Sequence, residues 1–373
     1  MKRALCAALL LAACGGSGGN STVDGRVGDD AAVPSDAATA HLVVYVSGYG
    51  PGIAWLDFDP ATGGLTPVGS IAAVQPSFLA MTAGHLYAVS ESGNRAAAYA
   101  IDPATGGLTF INDVDSGGAG PAHIAVDHRA AFVTVANFGG GTVAVLPIRG
   151  DGGLAAARQI VSPGVNAHMF LFDAADQFGF VPCRGSDYVA QYRFDAATGA
   201  LTANATPHAA TAAGAGPRHL AFAPDGAHAY LINELDSTLT ALAYDAATGR
   251  LSPLQTVSTR AAGATGNNTG AEVWVHPSGK FVYGSNRGDD DLAIFAIAAT
   301  GELTVVGHVA TGGKTPRDFT IDPTGRWLLA ANQGSDTVVT FAIDATTGML
   351  TRTGAPLTAA QPAFVGFVAL PRR

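Results

Sequence analysis

Apolar and polar positions alternate through most of the chain in short runs closed by turn residues. Arg218-His219-Leu220-Ala221-Phe222-Ala223 alternates and stops at Pro224-Asp225-Gly226, a turn sequence. Ala229 to Glu234 forms a second run and Thr238 to Tyr244 a third; Asp245 to Gly249 then turns the chain into a fourth, Leu251 to Val257. This spacing predicts four antiparallel strands, a to d. No helix-period segment of useful length appears beyond the first residues.

The four-strand unit recurs. Its c–d turn reads TGxL at Thr62–Leu65, Thr105–Leu108, Thr198–Leu201, Thr248–Leu251, Thr300–Leu303 and Thr347–Leu350, with a degenerate copy at Asp151–Leu154. The leucines fall at 65, 108, 154, 201, 251, 303 and 350, a spacing of 43 to 52 residues. A period of this size with several short strands per unit is the signature of a β-propeller, and seven copies predict an all-β fold of seven blades. Leu42–Val46, Ile53–Phe58 and Leu65–Ile71 read as strands b, c and d without an a, whereas Ala363–Leu370 reads as an a strand alone. Joined, they complete one blade from both ends of the body, which removes the two edges an open ring would expose.

The first residues follow a different pattern. Met1-Lys2-Arg3 is a short positive segment and Ala4 to Leu10 a compact apolar one, too short to span a bilayer, as in an export signal. Leu11-Ala12-Ala13-Cys14 resembles a bacterial lipobox, in which the cysteine is lipidated. Gly15 to about Ala40 is rich in Gly, Ser, Asp and Ala and has no hydrophobic period, as expected of a flexible tether. The expected organisation is a signal peptide over 1–13, a lipidated Cys14 and tether over 14–40, and the propeller over 41–373. The expected address is the bacterial cell envelope, lipid-anchored and facing the periplasm or exterior. With Cys6 removed and Cys14 acylated, Cys183 is left alone, so no intramolecular disulfide can form. Its setting, Phe180-Val181-Pro182-Cys183, predicts a buried, inert thiol.

Composition narrows the partners. The 373 residues are 48% hydrophobic, enough for a large core, with a formal net charge of -9. Lysine occurs only at 2, 280 and 314, and no basic run exists, which excludes an electrostatic nucleic-acid footprint. No HExxH or CxxC motif occurs. The expectation is a monomer that needs neither metal nor cofactor.

Polar residues collect on one face. The a–b turns are generic, as in Pro277-Ser278-Gly279 and Pro323-Thr324-Gly325. The opposite face receives the starts of strand a (His123, His168, Arg218-His219, Glu272, Arg317) and the ends of strand b (Glu91, Asn137, Arg184, Asn233-Glu234, Asn286-Arg287, Asn332-Gln333). Propeller geometry brings these to one mouth of the central channel. Arginines there can hold a carboxylate or a developing oxyanion, and His168 and Glu234 are candidate general acids or bases. Mutual pairing into a structural plug is the alternative. Asp289-Asp290-Asp291 reads as a solvated loop, His276 and His308 as surface histidines, and Gly139-Gly140-Gly141 as a b–c turn rather than a phosphate loop.

The segments Pro121-Ala122-His123-Ile124, Gly214-Ala215-Gly216-Pro217-Arg218-His219, Asn233-Glu234-Leu235, Ser285-Asn286-Arg287 and Pro316-Arg317-Asp318-Phe319 resemble the seven-bladed lactonase family. That family includes bacterial 6-phosphogluconolactonase and fungal carboxymuconate cyclases. The resemblance spans about Leu42 to Leu370. It implies catalytic roles for His168, Arg218, Glu234 and Arg287, with His123, His219, Glu272, Arg317 and Gln333 around the substrate. An exported chain is separated from phosphorylated pentose-pathway lactones, so the expected substrate is a sugar-acid or other carboxylated lactone. Two functions follow: a metal-independent envelope lactonase, with the reverse-type cycloisomerase chemistry as a variant, and a non-catalytic propeller displayed on the membrane to bind a ligand or protein.

Overall fold

The computed structural model describes residues 41–371; Cys14, the export signal and the tether lie outside the described residues. Seven sheets of four antiparallel strands form the seven blades. Blade 1 takes its a strand, Pro362–Leu370, from the end of the body and His41–Gly48, Gly52–Asp59 and Gly64–Ala72 from its beginning. The a and b strands pair from His41↔Leu370 through Val46↔Val365, as the terminal runs predict. Blades 2 to 7 follow in chain order over 79–115, 121–161, 171–210, 217–258, 269–310 and 316–358. A single short 3-10 turn, Gln333–Ser335, interrupts the strands.

The core lies between the blades. Phe132 of blade 3, for example, packs with Phe170, Phe172 and Phe194 of blade 4, all nearly free of solvent contact. The c–d turn repeat has a physical cause at this boundary. Tyr45, Tyr87, Tyr230 and Tyr283 on b strands each donate a phenolic hydrogen bond to a c–d turn carbonyl of the next blade, at Gly106, Gly152, Gly301 and Gly348, over 2.6–3.1 Å. Where tyrosine is lacking, another aromatic lies over the turn glycine. At Gly249 (φ +67°) an added Cβ would come within 2.1 Å of the Phe178 ring. Only glycine both adopts that backbone and leaves room for the ring.

Blade 4 departs from expectation. Its a strand is reduced to Leu171–Phe172, with an isolated bridge at Ala167↔Cys183. The His168 N–H donates to the Pro182 carbonyl at 3.0 Å, but proline has no N–H to return, so the ladder breaks beside His168.

Candidate active site

Strand a carries an extra residue at its mouth end in several blades. Pro217 pairs with Asn233 and His219 with Ile232, leaving Arg218 as a bulge. Arg317 is the extra residue between Pro316↔Asn332 and Asp318↔Ala331, and Ala122 lies between Pro121↔Asn137 and His123↔Ala136. The register also slips between Gly270 and Val273, where Glu272 stands. A bulge cancels the strict alternation of a strand and re-aims side chains. Arg218 and His219 therefore both join the mouth cluster, although they are neighbours in sequence.

Glu234 is the hub. Its carboxylate forms ion pairs with Arg184 Nε at 2.9 Å, Arg218 Nε at 3.4 Å and Arg287 Nη2 at 3.4 Å. Burial alone would push this carboxyl up. The surrounding Arg218, Arg287, Arg184 and Arg317 outweigh it and hold the carboxyl below its usual range, so Glu234 is ionised at neutral pH. Arg218, almost wholly buried, donates from Nη1 to the Ala271 carbonyl, and Arg287 Nη2 donates to Gly270 O at 2.9 Å. Burial, then Arg287 and Arg317, push Arg218 down to about 9, which leaves it charged at physiological pH. Solvent reaches the cluster through Arg184, whose side chain is 26% exposed.

Three of the four predicted catalytic residues, Arg218, Glu234 and Arg287, thus share one ion-pair cluster, and His168 lies within electrostatic reach of Arg218 and Arg287. His168 Nδ1 lies 3.2 Å from His219 Nε2, and His219 Nδ1 lies 2.7 Å from Glu272 Oε2. Burial first, then Arg218, His219, Arg317 and Arg287, hold the His168 imidazole well below its ordinary range. It is a neutral ring, able to accept a proton. His123 stacks on Phe78 with centroids 4.3 Å apart and meets His219 edge-on at 5.7 Å. On the other side of the mouth Arg317 pairs with Tyr49, and Gln333 sits half-buried in the short turn, its backbone N–H bonded to Thr315 O at 3.0 Å.

Two members of the constellation escaped sequence reasoning. Arg184 stood among the strand b ends without a role, yet makes the shortest of the three ion pairs to Glu234. Tyr49 lies in the Gly48-Tyr49-Gly50-Pro51 turn, where nothing in the local pattern marks it.

The asparagines at the ends of strand b are structural. Asn137 and Asn286, for example, bond the carbonyls of Ser116 and Thr259 at the end of the preceding blade. The aspartate triplet is not the solvated loop expected: Asp289 pairs with Arg260 at 2.8 Å and Asp290 with Lys314 at 3.0 Å, both on the connections that flank blade 6, and Asp291 is buried and bonded to Asn286 at 2.8 Å. The expectation of a surface histidine fails at His276, which is buried against the next blade and bonds Gly325 O at 2.8 Å; His308 is half-buried and bonds Thr259 O. Cys183 is buried and unpaired, and burial raises its thiol to about 12. A groove of about 410 Å³ beside blade 1 is lined by Val46, Pro51, Leu56, Ile71 and Leu357 among others, with no titratable side chain.

The family model described as "Lactonase, 7-bladed beta-propeller" matches residues 40–367. The chain is 33% identical over 236 residues to the 6-phosphogluconolactonase of Pectobacterium carotovorum, covering 63% of this chain and 70% of that protein. It is 32% identical over 238 residues to the 6-phosphogluconolactonase of Bacillus subtilis, covering 60% and 67%. Among solved structures, the periplasmic gluconolactonase PpgL of Pseudomonas aeruginosa superposes with a TM-score of 0.82 at 33% identity, over 88% of this chain and all of that one.

Proposed function

Because the chain belongs to the seven-bladed β-propeller lactonase family, we propose that it hydrolyses a carboxylated sugar-acid lactone at the arginine-lined mouth, with His168 as the proton carrier. The observation that carries this reading is the junction of two unlike environments: three guanidiniums converging on Glu234, and a neutral imidazole beside them.

The arginines supply two functions. One guanidinium face can hold the substrate carboxylate bidentately, and another can stabilise the oxyanion that develops on the ring carbonyl. His168 takes a proton from water as its oxygen attacks that carbonyl carbon. The ring C–O bond then breaks, and the same imidazolium returns the proton to the departing alkoxide, giving a hydroxy acid. Glu234 is ionised and triply paired, which suits it to holding the guanidiniums in place rather than to carrying a proton. A bound anion would also offset the positive charges that depress His168, making it a stronger base when substrate is present. Guanidinium charge does the work a metal would do in other hydrolases, so a chelator should leave the rate unchanged.

The envelope address rests on Leu11-Ala12-Ala13-Cys14, with the tether after it, and is supported by the periplasmic location in the name of the P. aeruginosa structure. An aldonolactone and carboxylated-lactone panel followed by acid release tests the activity. Release above the uncatalysed rate, abolished in His168→Gln, is expected. Saturable binding of sugar acids with no acid release would favour the non-catalytic propeller instead.

A further inference from the structure

The geometry points to Glu272 and His219 as positioning residues that decide which ring nitrogen of His168 carries its proton. The three side chains come from blades 6, 5 and 4 and form one line of hydrogen bonds, 2.7 Å and then 3.2 Å long, with Glu272 and His219 each 1% exposed. As a reading of the catalytic step this rests on the proposed lactonase activity; as a reading of tautomers it does not.

The direction of the line follows from Glu272. Its backbone N–H donates to Ser285 Oγ at 2.9 Å, and its Oε1 accepts the Val273 N–H at 3.2 Å. Oε2 is left facing His219 Nδ1, and a carboxylate oxygen only accepts, so His219 carries its proton on Nδ1. With His219 taken as the neutral imidazole, its one N–H on Nδ1 leaves Nε2 as a lone pair. The hydrogen bond to His168 can then form only if His168 Nδ1 donates. His168 Nε2 is therefore the bare nitrogen, the form that can take a proton from water. Rotation of the His219 ring is blocked by its edge contacts with His123 and Phe78, at 5.7 and 5.9 Å between centroids.

Glu272→Gln reverses the line without changing its shape. The Val273 N–H claims the amide oxygen, so the amide NH2 faces His219 Nδ1 and makes it an acceptor. His219 must then carry its proton on Nε2, His168 Nδ1 becomes the acceptor, and the His168 proton moves to Nε2, where a base is needed. Holding a catalytic imidazole in the wrong tautomer costs about 10³- to 10⁴-fold in turnover.

The test is nitrogen NMR of the full-length chain with ¹⁵N-labelled histidine near pH 7.5, His168 being assigned by its loss in His168→Gln. Wild type should show His168 with Nδ1 protonated and Nε2 bare; Glu272→Gln should show the reverse, with kcat down about 10³-fold or more and KM within about twofold. Wild-type His168 protonated on Nε2 would overturn the inference, even if Glu272→Gln failed to fold. So would an unchanged tautomer in a folded Glu272→Gln chain, whatever its turnover. A tautomer switch in a chain that hydrolyses none of the lactones would uphold the positioning role and sink the lactonase reading alone.

Discussion

Arg317 and Tyr49 meet at the boundary of blades 7 and 1 although 268 residues separate them: Arg317 Nη2 donates to the tyrosine oxygen at 2.9 Å, and its guanidinium carbon lies 5.3 Å from the ring centroid. Tyr49 passes its own O–H to Glu91 Oε2 at 2.8 Å. Burial raises the phenol to about 12, so it remains a donor at physiological pH. Tyr49→Phe keeps the stacked ring and removes both hydrogen bonds. Losing about 1 kcal/mol of positioning should raise KM for an anionic lactone roughly fivefold, with kcat and the unfolding temperature little changed. Steady-state kinetics on the two proteins checks this.

Glu234→Gln leaves three guanidiniums without their shared counterion. Breaking a buried pair in this way costs about 3 kcal/mol, so the unfolding temperature should fall by several degrees. A sugar-acid carboxylate such as gluconate can replace the missing charge and should restore more of that temperature in the variant than in wild type. Thermal unfolding with and without gluconate measures both effects. Because the Glu234 carboxyl is depressed in the folded state, its contribution is present above about pH 4.3 and is lost as pH falls through the lower folded value. The variant should lack that acid-side loss.

His168 gives a second pH signature, higher on the scale. An unfolded histidine takes up a proton near pH 6.5, whereas the folded imidazole, with Arg218, His219, Arg317 and Arg287 acting on it, resists to a much lower pH. The unfolded state therefore binds more protons in that window, and stability should fall by about 1.4 kcal/mol per pH unit as pH drops below about 6.5. Unfolding temperatures between pH 7.5 and 5 should show this slope in wild type and a shallower one in His168→Gln. Equal slopes would place the imidazole in a more solvated setting.

The inter-blade contact at Gly249 can be tested by stability alone. Gly249→Ala puts a methyl group into the Phe178 ring and a side chain onto a backbone with φ +67°. Left-handed strain of about 1 kcal/mol and overpacking of about 2 kcal/mol predict a loss near 3 kcal/mol in denaturant unfolding. Phe178→Ala in the same chain should relieve the overpacking part.

The turn repeat and the alternating runs made the seven blades and their closure legible, because each reports a backbone requirement that is local in sequence. Part of the proposed site was legible as a neighbourhood: Arg218, Glu234 and Arg287 meet at the mouth, and His168 lies within electrostatic reach of both arginines. Its wiring was not. Period-two alternation sends Arg218 and His219 to opposite faces, and only the bulge after Pro217 brings both into the cluster. Arg184 and Tyr49 enter by side-chain reach to a neighbouring blade, which depends on how far each blade is rotated about the axis. That Glu234 is held ionised depended on the arginines around the carboxylate, and their number exists only in three dimensions.

The strand that closes blade 1 also sets an order of events at the ribosome. Pro362–Leu370 is made some 320 residues after His41–Gly48, which has no other neighbour on that side. Until that strand emerges, blade 1 is a three-stranded sheet with the His41–Gly48 edge unpaired, a species prone to pair with other chains. Ring completion thus waits on this strand in any cell that makes the protein, and a holdase that shields the open edge until then should raise the yield of folded molecules more than one acting on the finished ring.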